Sequence, residues 1–129
     1  MAATKKRKGY KVVKRAGRKF CSCVMDVAEA RAFYNIGSTT QRRMGCGPLA
    51  VFGQKADAIR FVKSVKWLSD AFKGGYAFLF RCEYSPSEDE RLWYTEKVLT
   101  GYQHSHALPQ GTRIADEVTL LKQVEGVDV

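Results

Sequence analysis

A chain of 129 residues, 45% hydrophobic and 12% aromatic, is long enough to bury the core of one globular domain, and its composition excludes wholesale disorder. The net charge is +9, from 22 basic and 13 acidic residues, and no apolar run approaches the roughly 20 residues of a membrane helix. The opening is basic, but no apolar stretch follows it as in a secretory signal. An intracellular address is therefore expected, or a nuclear one in a eukaryotic host.

Met1 to Lys8 has no core-forming pattern and reads as a flexible basic arm, with one domain spanning 9–129. Lys5, Lys6, Arg7, Lys8, Lys11, Lys14, Arg15, Arg18 and Lys19 precede the first acid, Asp26, and without these nine the chain holds equal numbers of basic and acidic residues. A charge so segregated attracts polyanions through its long-range field and through counterion release.

Gly9 to Met25 has the pattern of a β-hairpin, with Arg15-Ala-Gly-Arg18 as its turn and Phe20 to Met25 as the returning strand. Asp26 to Glu29 is a polar connection, and Arg31 to Ile36 is expected to be a further strand. Gly37 to Gly47 is a long unpatterned internal loop and contributes Arg42 and Arg43. Pro48 to Phe52 is a short apolar run between glycines, the signature of a buried strand. Ala58, Phe61, Val62, Val65 and Leu68 then recur at helical spacing, which predicts a helix from about Lys55 to Lys66. Trp67 to Phe72 either extends that helix or forms a second short turn ending at Gly74-Gly75. Tyr76 to Tyr84 is the most strongly β-like segment, and Ser85 to Glu90 is an acidic turn. Leu92 to Leu99 is an expected strand, Thr100 to Gly111 a loop, and Ile114 to Val124 a closing strand.

The fold expected from these elements is a single α+β domain: a mainly antiparallel sheet of about five or six strands with one principal helix packed on it. Gly9-Tyr-Lys-Val-Val-Lys-Arg15, Gly47-Pro-Leu-Ala-Val-Phe52, Ala58-x-x-Phe61, Phe80-Arg-Cys-Glu-Tyr84 and the run from Leu108 to Leu121 together give the chain a likeness. It resembles a family of small uncharacterised proteins from viral and environmental sequences. The resemblance implies that the shared domain begins at Gly9 and that Met1 to Lys8 is an added arm. It implies no catalytic residues.

The chemistry on offer is sparse. Cys21, Cys23, Cys46 and Cys82 lack the paired spacing of zinc modules and read as free thiols. His104-Ser-His106 supplies two metal ligands where three or four are needed, so no metal site is expected. Glu83, Glu96, Asp116 and Glu117 suit solvated surface roles better than acid–base work, and Asp116, within the closing strand expected from Ile114, is the one whose burial matters. Gly45-Cys-Gly47 opens a strand and lacks the rest of a dinucleotide fingerprint. No cofactor is expected.

The function expected is that of a noncatalytic accessory protein engaging nucleic acid or another polyanion through its arm and hairpin, without membrane association. Lys5 to Lys8, Lys11, Lys14, Arg15, Arg18 and Lys19 would contact phosphates, helped by Arg42 and Arg43. Two alternatives remain. One is a viral-type accessory or structural component that binds a protein partner. The other is a small ADP-ribosyltransferase-like enzyme, loosely suggested by Tyr34-Asn-Ile-Gly-Ser-Thr39 followed by a strand, a helix and the late Glu117. That match departs from such enzymes in lacking a first-strand histidine or arginine and a signature flanking the acid.

Overall fold

The structure, a computed structural model, describes residues 6–22, 32–41, 49–87, 91–92, 103–104 and 110–129. Its framework is a seven-stranded sheet built from β1 (Arg7–Ala16), β2 (Lys19–Ser22), β3 (Phe33–Tyr34), β4 (Thr39–Gln41), β5 (Leu49–Phe52), β6 (Ala77–Pro86) and, after a separate pair, β9 (Thr112–Gln123). That separate two-stranded pair is β7 (Arg91–Leu92) with β8 (Gln103–His104). Every ladder is antiparallel, and one isolated parallel bridge joins Ile36 to Leu120.

The pairing closes on itself. β6 lies between β1 and β9, β5 pairs along the far edge of β9, and the ring returns to β1 through one pair, Tyr10 with Phe52. The result is a small barrel from which β2–β3 extend beside β1, and β4 beside β9. Closure demands a close approach at Gly9. A Cβ there would stand 2.8 Å from the Phe52 carbonyl oxygen and 2.9 Å from the Tyr84 ring, so only glycine fits without displacing backbone.

Two helices cover one face of the sheet, where one principal helix was expected: α1 (Lys55–Ser64) and α2 (Lys66–Lys73). The break falls at Val65, whose φ of −117° and ψ of 107° are extended. Val65 is β-branched, and the preceding Ser64 hydroxyl donates to the Phe61 carbonyl in competition with the helical ladder. The Val65 carbonyl then accepts the first amides of α2, from Leu68 and Ser69. α2 ends in a Schellman motif, with Tyr76 N–H donating to Ala71 O, Gly75 N–H to Phe72 O, and Gly75 at φ 80°. That motif delivers the chain straight into β6.

Apolar side chains segregate by strand alternation into two cores. Val12, Ala50, Phe52, Ala77 and Leu79 face Ala58, Val62 and Leu68 of the helices. Val13, Tyr34, Leu49, Val51, Phe80, Cys82, Tyr84, Ala115, Val118 and Leu120 fill the opposite side, inside the ring. β5 is buried on both faces, as its unbroken apolar run predicts.

β9 breaks its own alternation twice. Its pairing steps from Arg81↔Lys122 to Cys82↔Leu120, and from Ser85↔Glu117 to Pro86↔Ala115, so Leu121 and Asp116 are the extra residues of two β-bulges. Both are exposed, so Asp116, the acid whose burial was in question, faces outward. The loop expected over Gly37–Gly47 begins with β4, an edge strand tied to β9 by a Thr39–Thr119 hydroxyl contact of 2.7 Å. Lys5, Cys23, Asp26 to Glu29, Arg42, Arg43, Cys46, Glu88 to Glu90, Glu96, the strand expected over 93–99 and His106 lie outside the described residues.

Candidate functional site

The β1–β2 hairpin turns through Gly17-Arg18, with Ala16 opposite Lys19, and so fixes four cations around a two-residue loop: Lys14, Arg15, Arg18 and Lys19. Arg15, Arg18 and Lys19 are exposed and Lys14 is half-buried. Three of the four sit over aromatic rings. Lys14 Nζ lies 5.6 Å from the Trp67 ring of α2, and Lys19 Nζ lies 5.6 Å from the Phe33 ring of β3. The Arg15 guanidinium stands 5.8 Å from Phe20 and 5.4 Å from Phe78, whose rings meet edge-on at 5.6 Å. Such contacts favour the cation electrostatically and hold a long side chain in place without cancelling its charge. Among the described residues, Arg15, Arg18 and Lys19 make no ion pair with a carboxylate.

The remaining cations of the expected cluster are placed otherwise. β1 begins at Arg7, so Arg7 and Lys8 belong to the sheet, not to an arm ending at residue 8. Lys8 Nζ donates to Glu83 Oε2 at 2.8 Å across the β1–β6 ladder, and Lys6 Nζ lies 3.9 Å from Glu83 Oε1. The Lys8 hydrogen bond and charge, with Lys6 adding to them, hold the Glu83 carboxyl below the usual carboxylate range. Glu83 therefore stays charged, and its pair with Lys8 persists, well to the acid side of neutrality.

Lys11 corrects the expectation most sharply. Only 1% of it is exposed, because it points into the ring along with Val13. Its Nζ donates to Ser22 Oγ at 3.0 Å and to the Ala50 carbonyl, and lies 5.0 Å from the Tyr34 ring. No phosphate reaches it there. The chemistry around it is that of an interior. Burial pushes the Cys82 thiol up to about 12, against the opposing influence of Lys11 and a Gly9 backbone hydrogen bond, and burial also raises the Tyr34 phenol. Cys21 and Cys82 are buried free thiols, as the sequence suggests.

Glu117, the late acid of the transferase-like reading, accepts hydrogen bonds from Ser85 Oγ at 3.0 Å and Gln41 Nε2 at 3.4 Å. Among the described residues no group of three or more His, Cys, Asp or Glu side chains is placed to hold a metal, and no helix is long and apolar enough to cross a membrane.

Sequence reasoning missed Trp67, Phe33 and Phe78 as partners of the hairpin cations. One signal was present for Trp67, an aromatic residue one position off the apolar stripe of the helices.

The split between hairpin tip and strand start has a measurable consequence. Lys8 precedes Lys14 by six residues of β1, about 20 Å and more than a Debye length at physiological salt. Glu83→Gln, which releases Lys6 and Lys8, should therefore change affinity for a polyanion by no more than about twofold if the tip is the contact. Filter retention of the variant checks this, and a several-fold gain would place the contact at the start of β1.

No family model, curated protein or solved structure matches the chain, so its own geometry carries the functional reading.

Proposed function

We propose that this is a noncatalytic accessory protein that binds nucleic acid, or a polyanion of similar charge density, through the tip of its β1–β2 hairpin. The observation that carries this reading is the set Lys14, Arg15, Arg18 and Lys19. Four cations flank one turn, three of them seated on aromatic rings, while the acid of the neighbouring ladder, Glu83, is taken up by Lys6 and Lys8. Cations held on a rigid hairpin lose little freedom on meeting phosphates, and that preorganisation favours binding. Contacts of this kind position a backbone and do not read sequence, so binding is sequence-tolerant and weakens steeply with salt.

The test is a combined Arg15→Gln, Arg18→Gln, Lys19→Gln variant, measured by fluorescence anisotropy on a labelled oligonucleotide across a salt series. Removing three phosphate contacts should flatten the slope of log affinity against log salt by about 2 and abolish retention at physiological salt. A variant that binds as the parent does, with the same slope, contradicts the proposal.

A further inference from the structure

The register of the hairpin places more than charge at this site. Lys14 on β1 is opposite Cys21 on β2, and Cys21 is opposite Phe33 on β3, so these three side chains emerge in one row on one face of the sheet. This is the face that α2 partly covers, since Ala77, also opposite Lys14, packs in the helix-side core. At the α2 side of the row stands Trp67, 52% exposed, and at the other end Phe33, 43% exposed. Each ring has a lysine Nζ on it, from Lys14 and Lys19, yet about half of each side chain still meets solvent. β1 and β3 are two strand spacings apart, about 10 Å, with the buried Cys21 between them, so the exposed parts of the row are its two ends, where Lys14 sits on Trp67 and Lys19 on Phe33.

A half-exposed ring beside a cation offers a stacking face next to a phosphate-binding charge, and the occupant that uses both is a base attached to a phosphate. A duplex keeps its bases stacked on one another and offers these rings nothing. A sulfated or phosphorylated polymer without bases has no flat apolar face to offer.

We infer that the occupant is single-stranded nucleic acid, with Phe33 and Trp67 as stacking platforms, Lys14 and Lys19 along its backbone on the same face, and Arg18 at the turn. This rests on the polyanion reading above and narrows it to unpaired strands.

The experiment compares three probes on the full-length protein: a mixed-sequence single strand of about 12 nucleotides, the same sequence as a duplex, and heparin. Trp67→Ala and Phe33→Ala are each expected to weaken single-strand binding about fivefold or more, while leaving duplex and heparin binding unchanged; Trp67→Phe restores most of the loss. In a Trp93→Phe background the remaining Trp67 fluorescence is expected to be quenched by the single strand and not by heparin, a readout that does not depend on how well an alanine variant folds. Equal binding of all three probes, with both alanine variants silent and Trp67 unquenched, overturns the stacking inference and leaves the electrostatic reading standing. Failure of all three probes to bind overturns both.

Discussion

Lys11→Ala is expected to lower the stability of the fold by roughly 3 kcal/mol, a large share of a typical domain's total, while Lys11→Met loses much less. The reason is where the side chain sits. Its stem packs inside the ring and its Nζ occupies Ser22 Oγ, the Ala50 carbonyl and the face of Tyr34. Truncation leaves a void and strands a buried carbonyl acceptor, and these costs add. Methionine refills most of the volume and removes the expense of a desolvated ammonium group, which offsets part of the lost hydrogen bonding. Lys11→Glu would aim a carboxylate at a carbonyl oxygen and the negative face of a ring, and should prevent folding. Urea denaturation of the alanine and methionine variants gives the comparison. Polyanion affinity gives a second one: Lys11→Met should bind as the parent does, because a lysine inside the ring touches no phosphate. Loss of binding with unchanged stability would restore Lys11 to the surface and contradict the interior described above.

Gly9→Ala is expected to cost about 1–3 kcal/mol, and Gly9→Val more, through overpacking where the ring closes. The new Cβ would meet the Phe52 carbonyl oxygen at 2.8 Å, and that atom belongs to the β5 backbone. β5 cannot retreat cheaply, since Leu49 to Phe52 are all buried and paired with β9 along their length. The Tyr84 ring on the other side is itself core. The midpoint of chemical denaturation should fall with little change in its denaturant dependence. An unchanged midpoint would mean that β1 and β5 do not meet at Tyr10 and Phe52.

These two sites also mark where the sequence was legible and where it was not. Local patterns were readable: the apolar run of β5, the Arg15–Arg18 turn and the β-like run into Tyr84 became the elements they suggest, while the helical stripe after Gly53 became two helices broken at Val65. Features set by distant contacts were not. A lysine in a strand reads as surface, and Lys11 is buried only because the ring folds over one face of β1 while helices cover the other. Lys8 reads as part of an arm until Glu83, 75 residues away, pairs with it. Asp116 looks half-buried by alternation, and a bulge turns it out. β4 has no apolar alternation in Thr-Thr-Gln and exists by pairing with the edge of β9. At the hairpin, the cations were evident from composition, but the rings beneath them come from β3, β6 and α2, which only the fold brings together.

We propose that anionic polymers meet this protein at the tip of the β1–β2 hairpin. The most direct test is a titration of isotope-labelled protein with a short single-stranded oligonucleotide, followed by backbone amide and indole NMR shifts. The largest changes should fall on Lys14 to Phe20, Phe33 and the Trp67 indole, with Lys11 and the α1 helix quiet. Changes centred on Lys6 to Lys8 and Glu83, or spread evenly over the surface, would contradict it.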